Sequence, residues 1–186
     1  MQSYICFLRG VNITGHNKIR MADLTGMFKE SGFNDAETYI QSGNVVFTVD
    51  GGIAGIELVP GIESAIRLKF GFEIAAMIRT PDEIRKIITV NPFLKETNFD
   101  PSKSAVIFLY EKPVKEQLEK VRSINYPPDK FEIIGKEIFI YCPNGFGRTK
   151  LYTNFFENKM KIAGTARNWN TINTILGIAE RKQLPA

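Results

Sequence analysis

Hydrophobic positions in the N-terminal part of the chain change between strand-like runs and helical spacing. Residues 4–8 form a nearly continuous apolar run typical of a buried strand, and Leu24, Met27 and Phe28 share one face of a helix over 21–31. The same patterns predict a hairpin with strands at 37–40 and 44–49, a helix over 60–70 and a strand over 72–78. The resulting order, β-α-β-β-α-β, is that of a ferredoxin-like unit.

The second half of the chain repeats much of this order without repeating its residues. Thr80, Pro81 and Glu83 are typical of a helix start, and the helix ends near Val90. The further predicted elements are a strand over 105–110, a helix over 114–123, a hairpin with strands at 131–134 and 137–141, and helices over 151–161 and 168–181. We therefore expect an α+β fold of two ferredoxin-like (βαββαβ-type) subdomains with additional C-terminal helices, divided into residues 1–80 and 81–186.

Composition agrees with a soluble globular protein, with 44% hydrophobic and 24% charged residues. No run approaches the roughly 18 apolar residues of a membrane helix, and the N-terminus lacks the pattern of a signal peptide. Cys6 and Cys142 lie in apolar runs without the spacing of metal ligands, so we expect reduced thiols in a cytoplasmic protein.

Positive charge is concentrated at the C-terminal end of the chain. Residues 145–186 carry a net charge of +5, whereas residues 1–144 carry −1. This asymmetry favours an anionic partner such as a nucleotide, a phosphate ester or a nucleic acid. A solvated pair of basic helices explains the same charge equally well.

The loop after the first strand, RGVNITGHNK, places two glycines around the single histidine. Gly10 and Gly15 have the spacing of a phosphate-binding loop, but Lys18 comes two positions late and no hydroxyl residue follows it, so we reject a Walker-type site. Backbone amides beside glycines can still form an anion site, with charge from Arg9, His16 and Lys18. The alternative is a structural loop whose polar side chains bond their own backbone.

Three further stretches combine glycine or threonine with amides and cations. The residues QSGN are typical of a hairpin turn. NGFGRTK lies between a strand and a helix, a position where an anion can bind. TARNWNT combines an aromatic ring with amides that can contact a base or a sugar. Each stretch also has a purely structural interpretation, as a turn, a tight connection or a packing anchor. The candidate ligand-binding residues are Arg9, Asn12, His16, Lys18, Gln41, Ser42, Asn44, Arg148, Lys150, Arg167, Asn168 and Trp169.

The chain closely resembles the DUF1697 family, bacterial proteins without an assigned function, in LRGVNITGHNKIRMADL, YIQSGNVVF and TARNWNTI. The resemblance extends over nearly the whole chain and implies an α+β fold with two ferredoxin-like subdomains and C-terminal helices. It implies no substrate, cofactor or catalytic residue. Ile13 and Thr14 stand where such proteins often have a Val-Gly pair, which leaves the loop backbone less free. The positions that carry the resemblance are Arg9, Gly10, Asn12, Gly15, Lys18, Tyr39, Gln41, Ser42, Gly43, Asn44, Arg167, Asn168 and Trp169.

Three functional hypotheses follow. In the first, the four stretches converge in a cleft between the subdomains and bind an anionic ligand; RNA readout on the sheet face is disfavoured because no basic-aromatic run is present. In the second, the protein is a structural or protein-interaction module with no small-molecule ligand, and Trp169 is a buried anchor. In the third, it is an enzyme on a phosphorylated small molecule, with His16 as acid/base. The sequence predicts no cofactor and no metal site, and it does not determine the oligomeric state.

Overall fold

A computed structural model of the chain describes residues 1–13, 15–33 and 35–183. Within these residues the chain forms a mixed α+β fold with two four-stranded antiparallel sheets and six α-helices. Thr14, one of the two residues that depart from the family pattern, lies outside the described residues. No helix in the described part of the chain is both long enough and apolar enough to cross a membrane.

The described chain divides into two units, residues 1–86 with 174–183 and residues 87–173. The sequence pattern predicts subdomains at 1–80 and 81–186, which differ from these units in assigning 81–86 and 174–183 to the second part. The first unit contains a sheet in the order β2-β3-β1-β4 with two helices. Its elements are β1 (Gln2–Leu8), α1 (Met21–Glu30), β2 (Glu37–Tyr39), β3 (Asn44–Val49), α2 (Gly55–Phe70) and β4 (Ala76–Arg79).

One face of the first sheet packs with α1 and α2 to form a core. Tyr4, Cys6 and Leu8 of β1 alternate toward it, as do Val45 and Phe47 of β3. Alternate strand residues face the same side of a sheet, so this spacing follows from the strand geometry. The helices complete the core with Leu24, Met27, Phe28, Val59, Ile62 and Ile66.

The second unit has the same arrangement, with a sheet in the order β6-β7-β5-β8. Ile107, Leu109, Ile138 and Ile140 of this sheet pack against Phe156 and neighbouring apolar residues in a second core. The elements are β5 (Ser104–Leu109), α4 (Lys115–Arg122), β6 (Lys130–Ile134), β7 (Glu137–Tyr141), α5 (Thr153–Met160) and β8 (Gly164–Asn168).

Two helices, α3 (Pro81–Val90) and α6 (Trp169–Gln183), contain the boundaries between the units. The predicted capping of α3 is confirmed, because the Thr80 N–H donates to Glu83 Oε2 at 2.8 Å and the Glu83 N–H donates to Thr80 Oγ1 at 3.2 Å. Within the first unit, Arg85 of α3 pairs with Glu180 of α6 at 3.1 Å. Lys182, close to the end of α6, pairs with Glu37 at 3.5 Å.

Three elements differ from what the sequence pattern predicts. The sequence predicts no strand between the helices over 151–161 and 168–181, but residues 164–168 form β8, which pairs with β5 at the sheet edge. The sequence does not reveal this strand because GTARN has no apolar alternation and only one strand-favouring residue, Thr165, so only its pairing partner identifies it. Helix α2 begins at Gly55 and not at Pro60. Strand β4 covers Ala76–Arg79, so it begins four residues later than the predicted strand over 72–78 and ends one residue after it.

Candidate functional site

Asn12 holds the opening loop together through its side-chain amide. Its Oδ1 accepts a hydrogen bond from the Ile19 N–H at 2.9 Å, and its Nδ2 donates to the carbonyls of Ile19 and Gln41, each at 2.9 Å. The backbone of Asn12 is left-handed, with φ at +56°, a conformation that Asn adopts more readily than most residues. Asn17 adds a bond from its Nδ2 to the Gly10 carbonyl at 3.2 Å. The amide of Asn12 thus joins the loop to the tip of the next hairpin.

The hairpin tip is closed in the same way. Gly43 has a φ of +67°, and a Cβ at this position would lie 2.9 Å from the Cβ of Leu8. The Gly43 carbonyl accepts the Leu8 N–H at 2.8 Å. Asn44 is fully buried and donates to the Tyr39 carbonyl at 3.0 Å and to Ser42 Oγ at 2.9 Å. In the first unit, Gly43 and the side-chain amides of Asn12 and Asn44 therefore fix the position of the backbone.

The charged residues of the opening loop are exposed. Arg9, His16 and Lys18 all lie at the surface, and the backbone N–H of His16 donates to the Ile13 carbonyl at 2.9 Å. Among the described residues, the His16 imidazole makes no hydrogen bond or ion pair. Its role as an acid or base stays a prediction.

Arg167 and Trp169 of the second unit are buried. Arg167 Nη1 donates to Thr165 Oγ1 at 2.6 Å and to the Ala166 carbonyl at 2.8 Å. The Trp169 ring is 5% exposed and meets Phe99 edge-on, with ring centroids 6.3 Å apart. Both side chains are packed within the protein, so neither is directly accessible to a ligand in solution.

Asn168 lies between these two residues and is exposed. Its Oδ1 accepts the Thr171 N–H at 2.7 Å and so caps the last helix. Its Nδ2 makes no hydrogen bond with any described residue. The amide therefore keeps a donor for another partner.

A cavity of about 200 Å³ opens beside Asn168 in the second unit. Its floor is the sheet face formed by Ala105, Ile107, Ile140 and Ala166, and its walls come from the connection between β7 and α5. The cavity lining is mostly apolar. Besides the Asn168 amide, Thr153 Oγ1 is a polar group at the cavity that makes no hydrogen bond with a described residue. The wall residues are Phe146, Leu151, Tyr152 and Thr153. Two of the predicted stretches, 144–150 and 164–171, thus meet at this cavity.

The connection that forms the wall is held by its own hydrogen bonds. The Tyr152 hydroxyl donates to the Phe146 carbonyl at 3.1 Å, and the Leu151 N–H donates to Thr149 Oγ1 at 3.0 Å. Residues 146–148 form one turn of 3-10 helix. These bonds fix the wall without any contribution from a ligand.

The two cations of this connection have different surroundings. Lys150 Nζ lies over the Tyr126 ring, 5.5 Å from its centroid. Arg148 is exposed and makes no hydrogen bond or ion pair with a described residue. Arg148 is therefore the cation of this stretch that has no partner in the described chain, and it lies two residues after the wall residue Phe146.

A second cavity, of about 340 Å³, lies between α4 and β6. It is lined by Arg122, Asp129, Lys130 and Glu132 together with Tyr126 and apolar residues. The two signs of charge balance, and Lys130 is already paired outside the cavity lining with Glu96 at 2.8 Å. This cavity does not favour an anion.

Neither cysteine has the surroundings of a nucleophile. Cys6 and Cys142 are free and buried. Burial raises the pKa of Cys142 to about 11, although a hydrogen bond with Thr149 acts in the opposite direction. In the described part of the chain, no group of three or more His, Cys, Asp or Glu side chains is placed to hold a metal.

Sequence reasoning found Asn168 but missed most of the cavity lining. Ala105 and Ala166 have the sequence signature of ordinary strand and loop residues, and their importance is that their small side chains line the cavity. Tyr152 and Thr153 were read only as the beginning of a helix. A signal that could have indicated the cavity is the pair of alanines, Ala105 and Ala166, which the pairing of β5 with β8 places on the same face of the sheet.

These features define an α+β protein of two similarly built units, one of which carries an open apolar cavity with polar groups at its edge. Residues 1–139 match the family described as "Protein of unknown function (DUF1697)", and the chain belongs to that family. The match ends within β7, so it covers Ala105 and Ile107 of the cavity but not its walls.

Among solved structures, that of a bacterial protein resembles nearly the whole chain. It is the structure of a conserved bacterial protein from Streptococcus pneumoniae, with a TM-score of 0.76 and 21% sequence identity, covering 96% of this chain and 98% of that one. At this identity the likeness concerns the fold alone. A comparison with curated protein sequences gives no match.

Proposed function

We propose that this protein binds a small organic anion, of the nucleotide or phosphate-ester class, in the cavity of its second unit. The observation that carries the proposal is the meeting of residues 144–150 and 164–171 around an open cavity with unengaged polar groups. The apolar floor favours an organic group over a simple ion, since ligand pockets are mostly apolar with a few placed polar groups.

Charge supports an anionic ligand in particular. Arg148 is exposed without an ion-pair partner in the described chain, and residues 145–186 carry a net charge of +5. A guanidinium can bind a phosphate or a carboxylate through two parallel hydrogen bonds. Asn168 Nδ2 and Thr153 Oγ1 add donors beside the apolar floor.

A thermal-shift screen followed by calorimetry tests this function. The panel contains nucleoside monophosphates, sugar phosphates, inorganic phosphate and a short single-stranded RNA. A compound at about 100 times its Kd adds about 2.7 kcal/mol to the free energy of unfolding, which raises the melting temperature by roughly 5–10 °C in a chain of this size.

Two variants locate the site. Asn168→Asp keeps the oxygen that caps the last helix but removes the donor, and Arg148→Ala removes the cation. Lys159→Ala is the matched control, because Lys159 is an exposed cation in the last turn of α5. We expect both site variants to weaken binding at least about tenfold and the control to bind as the wild type. A panel without a small-molecule hit, RNA binding alone, or unchanged binding by both site variants would each overturn the proposal.

The second candidate is a structural role without a ligand, which the engaged signature residues of the first unit favour. There the amides of Asn12 and Asn44 are engaged with backbone or neighbouring side chains. On this reading, substitution of the signature residues changes stability alone. The screen decides between the two candidates, because a purely structural protein gives no ligand-dependent shift.

We also infer a ferredoxin-like arrangement for each unit and a cytoplasmic location. The first inference is supported by the order of elements and by the strand orders β2-β3-β1-β4 and β6-β7-β5-β8. The second is supported by two cysteines that are both free and buried, as is usual in a reducing compartment.

A further inference from the structure

The two sheets have the same register as well as the same strand order. The Leu8 N–H donates to the Gly43 carbonyl at 2.8 Å, and in the second sheet the Leu109 N–H donates to the Lys136 carbonyl at 2.9 Å. Ile5 of β1 pairs with Arg79, and Val106 of β5 pairs with Arg167. Where the corresponding strands of the two sheets overlap, a residue of the first sheet therefore has a defined counterpart in the second.

This register aligns three large residues of the first unit with three smaller ones of the second. Tyr4 pairs with Phe47 across β1 and β3, and Ala105 pairs with Ile140 across β5 and β7. On the opposite neighbouring strand, Cys6 pairs with Ile78 and Ile107 pairs with Ala166. The counterparts are therefore Tyr4 and Ala105, Phe47 and Ile140, and Ile78 and Ala166.

In the first unit, an aromatic ring closes this part of the sheet face. Tyr4 is 2% exposed and stacks on Phe47, with ring centroids 5.9 Å apart. Its hydroxyl donates a hydrogen bond to the Ile53 carbonyl. The first residue of α2 lies directly above, because a Cβ at Gly55 would be 3.0 Å from Ile78 Cγ2 and 3.7 Å from Tyr4 Cδ1.

In the second unit, the same place is the cavity. Ala105, Ile140 and Ala166 line its floor. Thr153 also lines the cavity and is the first residue of α5, as Gly55 is the first residue of α2. The connection that precedes the helix is more than twice as long, residues 142–152 against residues 50–54. This longer connection supplies Phe146 and Tyr152 as walls, so the helix start does not close over the small residues.

We propose that the cavity is a slot for the planar aromatic ring of a ligand, seated where the Tyr4 ring is seated in the first unit. A cavity of about 150 Å³ with apolar walls is enough to hold a benzene ring, and this one is about 200 Å³. The ring lies on Ile140 between Phe146 and Tyr152, and its polar substituent faces Asn168 and the solvent. This inference rests on the proposed function and narrows its ligands to aromatic anions such as nucleotides.

Paired ligands that differ only in their ring test the slot. Phenyl phosphate and cyclohexyl phosphate carry the same charged group on rings of similar size, and inorganic phosphate carries no ring. We expect phenyl phosphate to bind at least about tenfold more tightly than either of the other two. Phenol, which is uncharged, is expected to raise the melting temperature of the wild type at millimolar concentration.

A second test fills the slot with a tyrosine, the residue that the first unit has at the equivalent position. Ala105→Tyr places the ring of Tyr4 in the cavity, and Ala105→Ser is the matched control that leaves it open. We expect Ala105→Tyr to melt no lower than the wild type and to lose phenol and phenyl phosphate binding by at least about a hundredfold, with Ala105→Ser unchanged. If Ala105→Tyr does not fold, we use Ala166→Ile instead, which fills the cavity from β8.

The outcomes separate this inference from the proposed function. Equal binding of phenyl and cyclohexyl phosphate, or full binding of phenyl phosphate by the folded filled variant, overturns the ring slot while anion binding stands. Binding of phenol that Ala105→Tyr abolishes, without binding of any anion, supports the slot and overturns the proposed function. Binding of sugar phosphates without binding of phenol or of any aromatic anion overturns the ring slot alone. The absence of binding by phenol and by every organic anion overturns both.

Discussion

The side chain of Asn12 donates a hydrogen bond to the backbone carbonyl of Gln41 at 2.9 Å, across 29 positions of sequence. The same Nδ2 group also donates to the Ile19 carbonyl, so one amide connects the two ends of the opening loop to the hairpin tip. The two most recognisable motifs of the chain, RGVN and QSGN, are thereby parts of one local structure.

We expect Asn12→Ala to lower the free energy of unfolding by about 1–3 kcal/mol, because it leaves the Ile19 N–H without its partner. Chemical denaturation measures this change. Asn12→Gly is the matched control, since glycine tolerates the φ of +56° but also lacks the amide. A Gly variant as stable as the wild type would show that the hydrogen bonds contribute nothing.

Gly43→Ala is expected to cost about 2–4 kcal/mol of stability. The new Cβ would lie 2.9 Å from Leu8 Cβ and 3.1 Å from Val11 Cβ, in addition to the strain of a φ of +67°. Gly51→Ala is the control, because Gly51 has a φ of +80° but no heavy atom within 4 Å of an added Cβ. Thermal or denaturant unfolding gives both values. Equal losses in the two variants would contradict the close packing at Gly43.

Trp169→Ala is expected to destabilise the second unit by about 3–5 kcal/mol, because it empties the space of a ring that is 5% exposed. Trp169→Phe keeps an aromatic group against Phe99 and is expected to cost less. Leu68→Ala, at an 81% exposed position, serves as the surface control with a change within about 0.5 kcal/mol. A Trp169→Ala protein as stable as this control would remove the assignment of Trp169 as a packing anchor.

The Cys142 thiol makes stability depend on pH above its ordinary pKa of 9.0. Burial raises the pKa of Cys142 to about 11 in the folded chain, so the unfolded chain releases its proton first as the pH rises. The folded state then binds more protons, and the stability of the wild type falls between about pH 9 and 11. Cys142→Ala lacks this contribution and is expected to show a smaller fall.

Urea denaturation of both proteins at pH 8, 9 and 10 measures this difference. All other titrating groups are shared, so the change in the gap between the two proteins reports Cys142. A gap that stays constant over this range would contradict the raised pKa. Iodoacetamide at pH 8 provides an independent check, because the buried, protonated thiol is expected to react only after unfolding.

Local signals predicted the helices and the central strands well. The helix that starts at Thr80 has the expected capping hydrogen bonds, and Gly71 ends α2 with a left-handed φ of +74°. Such features depend on residues within one or two turns of each other, which is the range at which capping and periodicity act. Strand β8 could not be found in this way, because its polar residues become a strand only by pairing with β5.

The candidate site was only partly predictable for the same reason. NGFGRTK and TARNWNT were singled out by their residues, but Arg167 and Trp169 proved to be buried while Asn168 lies at the cavity. Alternate residues of a strand face opposite sides, so a difference of one position decides between burial and access.

The sequence by itself determined the class of fold, the family, several helix ends and most of the apolar strands, because each depends on patterns within short segments. Only the tertiary structure decided that Tyr4 and Ala105 occupy equivalent positions, and that the second of these leaves a cavity. The space beside a side chain depends on residues brought together from distant strands and connections. The sequence alone therefore does not distinguish Ala105 from any other alanine, and its contribution to a cavity is visible only when its neighbours are known.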